Sequence, residues 1–136
     1  MSAEVKRAAL TWRQGLEFAG GEAGGPELLI DGDNAAAPGP MLTLLLAAGA
    51  CSGADVILIL QKMRIPPTAL RIELSGVRRE QDPRRYTAIH FHYHLAGTGL
   101  DEARARRAIE LSITKYCSVI HSLAPDIHIT HELTLA

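Results

Sequence analysis

Several familiar signatures are missing from this chain. Fourteen basic residues against fifteen acidic ones leave a formal net charge of −1. The basic residues are also scattered, so neither nucleic acid nor an anionic membrane surface has an electrostatic case as a partner. Cysteine occurs twice, as Cys51 and Cys117. That is too few for a secreted disulfide framework, and neither sits in a CxxC or a Cys/His zinc spacing. The opening residues MSAEVKRAAL hold an acid and two bases, and so lack the apolar core of a signal peptide. A reducing cytoplasm is the expected location. Internal repeats and disordered linkers are absent as well. A length of 136 residues suits one domain spanning 1–136, large enough to bury a core without staples.

One long hydrophobic run is present, Met41-Leu-Thr-Leu-Leu-Leu-Ala-Ala-Gly-Ala-Cys51-Ser-Gly-Ala-Asp-Val-Ile-Leu-Ile-Leu60. Twenty residues just suffice to cross a bilayer. The run contains Asp55, however, and a carboxylate at mid-bilayer costs about 2.5–3.5 kcal/mol. No second run exists to shelter it. A helix apolar on all sides instead fits the centre of a core, wrapped by other elements.

The remaining pattern supplies those elements. Residues 8–19 read as two short strands around Arg13-Gln14-Gly15, and Leu28–Ile30 as a third. Pro38-Gly39-Pro40 opens a helix over about Met41–Met63, and Pro66-Pro67 closes it. From Leu70 the period changes to two, predicting a long hairpin whose second strand alternates Ile89, Phe91, Tyr93 and Leu95 with His90, His92 and His94. A second helix follows Asp101, with Ala105, Ala108, Ile109, Ser112, Ile113, Tyr116, Cys117 and Ile120 along its apolar stripe. The tail from Ile127 to Leu135 alternates again as a last strand. This order predicts an α+β domain with a largely antiparallel sheet wrapped around the central helix. One small sheet covers only one side of that helix, so a second subunit is expected to cover the rest.

The cysteines carry the candidate chemistry. Taken alone, a free cysteine is a small hydrophobe, and Cys51 reads as core. Around it, though, Ala47-Ala-Gly-Ala-Cys51-Ser-Gly-Ala54 is stripped of bulk, leaving space for a substrate or a second chain. Flanking Leu44–Leu46 and Val56–Leu60 would give that space apolar walls. Cys117, on the inner face of its own helix, is in a position to meet it. A nucleophilic thiol must ionise, and a free one with pKa about 8.5 mostly does not. Cys51 lies too deep in its helix for the N-terminal dipole to help, and a charged Asp55 would oppose ionisation. A cation from elsewhere is required, and arginine is the suitable type.

At three places the sequence resembles the OsmC/Ohr family of osmotically induced and organic hydroperoxide resistance proteins. These are Pro38-Gly-Pro-Met-Leu-Thr-Leu-Leu-Leu-Ala-Ala-Gly-Ala-Cys51-Ser, the block Val77-Arg-Arg-Glu-Gln-Asp-Pro-Arg-Arg-Tyr-Thr-Ala-Ile-His90-Phe-His, and Lys115-Tyr-Cys117-Ser-Val. The resemblance runs from about Trp12 to the C-terminus and is nearest to the YhfA-like branch. It implies an intertwined homodimer, organic hydroperoxide as substrate, and no cofactor beyond an external dithiol reductant. It further implies that Cys51 attacks the peroxide and that Cys117 resolves the sulfenic acid as a disulfide. Arg13 is the match for the family's activating arginine. The glutamate that orients this arginine in the peroxidases is not matched, because Met41 and Leu42 stand at its position. Two functions follow: a thiol-dependent peroxidase, or a non-enzymatic dimer of the same fold that binds a small apolar ligand or senses redox state.

His90, His92 and His94 project from one sheet face about 7 Å apart along the strand. With His128 and Glu132 from a neighbouring last strand they could hold zinc or copper. The sequence alone reads them as a solvated polar face and assigns no metal. His131 has the apolar parity of its strand and is expected to be a core histidine.

Overall fold

The computed structural model describes residues 3–136. Met1 and Ser2, the start of the segment read as leaderless, lie outside the described residues. The chain forms two compact units that divide between Leu44 and Leu45.

In the first unit, β1 (Ala9–Gln14), β2 (Glu17–Gly21) and β3 (Glu27–Asp31) make an antiparallel sheet in the order β1-β2-β3. Trp12 pairs with Phe18 and Gln14 with Glu17, so Arg13 is the extra residue of a β-bulge. Asp31 organises the loop beyond β3. Its carboxylate accepts the backbone N–H groups of Asp33, Ala35 and Ala36 at 2.9, 3.2 and 2.8 Å. Those bonds hold its pKa below the ordinary carboxylate value.

Helix α1 runs Pro40–Lys62. Leu60 accepts from the N–H of Ile65 and Gln61 from that of Arg64, each at 3.0 Å, while Arg64 takes φ +63°. This is a Schellman turn, which stops the helix before Pro66 is reached.

In the second unit, β4 (Ala69–Arg78), β5 (Tyr86–Ala96) and β6 (His128–Leu135) form a sheet in that order. β4 and β5 are the expected antiparallel hairpin, but β6 pairs with β5 in parallel. The largely antiparallel expectation therefore holds for three of the four pairings. The exception arises because α2 (Glu102–Leu111) carries the chain back across the sheet before β6 begins, the crossover that parallel neighbours require. Asp101 caps α2, accepting the N–H of Arg104 at 2.8 Å.

The core of this unit is one face of the sheet against one stripe of α1. Ile89, Phe91, Tyr93 and Leu95 of β5 are 0–1% exposed. The rings of Phe91 and Tyr93 stack at 6.0 Å. Opposite them lie Leu45, Ala48, Gly49, Ser52, Gly53, Val56 and Leu60, a strict three-to-four spacing within a helix that is apolar all round. Each large side chain so buried contributes about 1.5–3 kcal/mol. By length and composition α1 could cross a membrane, with a mean hydropathy of 2.0 in its most apolar 18-residue window. Its buried stripe is nevertheless occupied by the sheet, and Asp55 within that run accepts a hydrogen bond from Ser112.

Candidate functional site

The second helix does not continue through Cys117 as the periodicity suggests. After Leu111 the backbone widens into a π-helical turn, Ser112–Tyr116, closed by a 2.8 Å bond from the N–H of Cys117 to the carbonyl of Ser112. Cys117 itself is extended, with φ −69° and ψ 103°, and caps a short helix α3, Ser118–Ser122. Its sulfur accepts the N–H of Ile120 at 3.5 Å and faces the carbonyl of Ala48 on α1 at 4.0 Å. One inserted residue per turn thus aims the thiol at α1, a common use of π-bulges at functional sites.

That placement joins the two thiols. Both cysteines are free, Cys51 partly accessible and Cys117 fully buried. The thiols are near enough for Cys51 to act on the titration of Cys117. Burial pushes the pKa of Cys117 up to about 11, and Cys51 adds to the rise, although the N–H of Ile120 pulls the other way. Cys117 is therefore a protonated thiol across the neutral range.

The clearing expected around Cys51 is largely filled. Ala48, Gly49, Ser52 and Gly53 are buried against the sheet. A Cβ on Gly49 would lie 2.7 Å from Cδ1 of Leu74, and one on Gly53 would lie 3.1 Å from Cδ1 of Ile72. These glycines let the sheet approach the helix. The small residues left open near Cys51 are Ala47, Ala50 and Ala54, of which Ala47 and Ala54 lie one turn before and after it on its own side of the helix. An apolar groove of about 490 Å³ does border α1, lined by Leu46, Ala50, Ile57, Leu70, Ile72 and Leu74 among others, but Cys51 is not in its wall.

Sequence reasoning missed the polar chain next to the thiols. The hydroxyls of Tyr93 and Ser52 are 2.6 Å apart, those of Ser52 and Ser112 2.8 Å, and Ser112 donates to Asp55 Oδ2 at 3.0 Å. A hydroxyl has one proton to give. Since Ser112 gives its proton to the carboxylate, Ser52 must donate to Ser112 and Tyr93 must donate to Ser52. The chain therefore has one direction, from β5 through α1 and the π turn to Asp55. Burial, with Cys117 and Asp55 nearby, pushes Tyr93 up to about 12, so it keeps the proton it donates. The available signal was polar residues on buried parities: Ser52 in the apolar run and Ser112 on the stripe of α2.

Arg13 lies on exposed β1 in the first unit and has no ion-pair partner among the described residues. Met41 and Leu42 follow Pro40 in the first turn of α1, which carries no acidic residue.

The chain is similar to known proteins over most of its length. The sequence pattern of the family described as OsmC-like protein matches residues 31–132. Protein YhfA of Escherichia coli (strain K12) is 42% identical over 126 residues, covering 92% of this chain and 94% of that protein. An OsmC-like protein from Mycoplasma pneumoniae superimposes with a TM-score of 0.85 at 16% identity, over 99% of both chains. A protein from Legionella pneumophila described as organic hydroperoxide resistance protein OsmC superimposes with a TM-score of 0.71 at 12% identity, over 98% of this chain and 99% of that one. At such identities the two structural likenesses establish the fold.

Proposed function

This chain belongs to the OsmC-like protein family, and on that premise we propose that it is a thiol-dependent peroxidase that reduces organic hydroperoxides. The observation that carries the proposal is the meeting of Cys51 and Cys117, 66 residues apart in sequence, with the first partly accessible and the second buried. Accessible attacker and sheltered resolver are the two roles the chemistry needs. The thiolate of Cys51 attacks the distal oxygen of R–O–O–H, the O–O bond breaks, and the alkoxide leaves and takes up a proton as the alcohol. The resulting Cys51 sulfenic acid is then attacked by the sulfur of Cys117, which forms the disulfide and releases water. Two electrons from an external dithiol restore both thiols. Keeping Cys117 protonated prevents it from competing for peroxide, because the thiolate is the effective nucleophile; in the resolving step its proton passes to the hydroxide that leaves Cys51, and the two depart as the water.

Arg13, the match for the family's activating arginine, is proposed as the activating cation, and the protein is proposed to act in the cytoplasm as a homodimer. Support for the dimer comes from α1. Leu46, Ala50, Ala54 and Leu58, spaced by four, are all exposed and form one apolar ridge. Such a ridge is the unit of helix-on-helix packing, and the two alanines at its centre allow a second α1 to approach closely.

One equivalent of cumene hydroperoxide should remove both thiols within seconds and give an intramolecular disulfide. Cys51→Ser should not react, Cys117→Ser should stop at a sulfenic acid trapped by dimedone, and Arg13→Gln should react at least tenfold more slowly. Reaction of Cys51 at the rate of an ordinary thiol would overturn the peroxidase reading. It would favour the ligand-binding or redox-sensing dimer, to which the absence of a carboxylate at Met41 and Leu42 points.

A further inference from the structure

We propose that the outer face of the β4-β5-β6 sheet carries a binding site for one zinc-type divalent transition ion, with Glu73, His92 and His94 as ligands. The strand register builds this face as three rows: Ser75, His90 and Thr130; Glu73, His92 and Glu132; Arg71, His94 and Thr134. All nine side chains project away from the core occupied by Phe91, Tyr93 and Leu95. The parallel alignment of β6, which the sequence did not predict, sets Glu132 directly beside His92, whose other neighbour is Glu73. The central imidazole is therefore flanked by carboxylates on both sides.

The donor atoms converge. One ligand atom from each of Glu73, His92 and His94 lies within 4.8 Å of the other two. His94 Nε2 stands 2.6 Å from Glu73 Oε1, and the rings of His92 and His94 face each other at 4.0 Å with a tilt of 30°. A four-coordinate zinc ion with bonds near 2.0–2.2 Å holds its ligand atoms roughly 3.3 Å apart. Closing that gap takes side-chain rotation and no movement of the strands, because the three side chains are a quarter to a half exposed. Glu132 Oε1 lies 3.5 Å from His92 Nδ1. The same oxygen accepts from Nε2 of His90 at 2.9 Å, so Glu132 adds negative charge beside His92 while its hydrogen bond goes to His90.

The chemistry of the face favours a cation. Glu73 and Glu132 offer only acceptor oxygens, and every neutral imidazole adds an acceptor nitrogen. Against this, Arg71 reaches Glu73 at 3.1 Å, while Thr130 and Thr134 face His90 and His92 at 2.6 and 2.7 Å. Nε2 of His94 donates to Glu73 at 2.6 Å, so a bound ion would take the place of that proton between the two groups, and two imidazoles with a carboxylate are a donor set suited to zinc, cobalt or nickel. The inference does not rest on the peroxidase reading and uses neither thiol.

Isothermal titration calorimetry of untagged, chelator-treated protein with zinc chloride at neutral pH tests it, in wild type and in Cys51→Ser/Cys117→Ser. The expected result is one ion per chain in both, with affinity falling at least tenfold in His92→Ala and in His94→Ala. Cobalt loaded into the thiol-free variant should show visible d–d bands that His94→Ala loses. These are surface positions, and unchanged circular dichroism would confirm that the variants fold. Absence of binding to wild type would overturn the proposal. So would binding that disappears with the cysteines, or that His92→Ala and His94→Ala leave unchanged.

Discussion

The directed hydroxyl chain predicts an asymmetry between its two upper members. In Ser52→Ala the Tyr93 hydroxyl, on a residue with no exposure, loses its acceptor and becomes an unsatisfied buried donor. That costs about 1–3 kcal/mol, and loss of the bond from Ser52 to Ser112 adds about 1, giving about 2–4 kcal/mol in all. In Tyr93→Phe the donor itself is removed. Ser52 still donates to Ser112, and Ser112 still donates to Asp55, so no proton is stranded and the cost is about 0.5–1.5 kcal/mol. Once the tyrosine hydroxyl is gone, Ser52→Ala strands nothing, so the double variant should fall short of the sum of the singles by the stranded-donor cost of about 1–3 kcal/mol. Urea unfolding followed by far-UV circular dichroism gives these values, with the thiols reduced and all variants at one protein concentration, because self-association would shift apparent stability. A Tyr93→Phe cost equal to or above that of Ser52→Ala would refute the deduced direction. Strict additivity would refute the chain.

Two further outcomes follow from the thiols and the helix. In Cys51→Ser, thiolate absorbance at 240 nm should place Cys117 above the ordinary thiol range, whose upper end is 9.0, and towards about 11, less the part that Cys51 contributes; a midpoint at or below 9.0 would contradict its burial. Because the folded pKa is the raised one, the stability linked to Cys117 is fully present below pH 9.0 and is lost as pH rises through about 11. Sedimentation equilibrium should give twice the chain mass of 14.7 kDa for wild type and a single chain for Ala54→Arg, which sets a charge on the exposed ridge of α1; a wild-type monomer would remove the dimer.

The register of β5 was legible because Ile89, Phe91, Tyr93 and Leu95 alternate with histidines, and strand parity alone assigns each set to a face. The bounds of α1 were legible from Pro40 and the length of the apolar run. Its buried face was not, since Leu46 and Leu45 are equally apolar and only packing leaves one exposed and buries the other. The small residues near Cys51 misled for the same reason. A glycine that opens a cavity and one that admits Leu74 look alike in one dimension.

Chain order by itself established two cysteines on or beside two apolar segments, an α+β domain and a histidine-bearing strand. Tertiary structure decided what those features touch. The π turn brings Cys117 to α1, which no 3.6-residue periodicity encodes, because a single widened turn rotates everything after it. The crossover of α2 lays β6 parallel to β5 and sets Glu132 beside His92, a neighbour relation fixed by hydrogen-bond register between strands some forty residues apart. Local sequence determines which groups exist and which face of an element they share. Their chemical pairing depends on the packing of elements distant in sequence, and here that packing joins the thiols and builds the polar face.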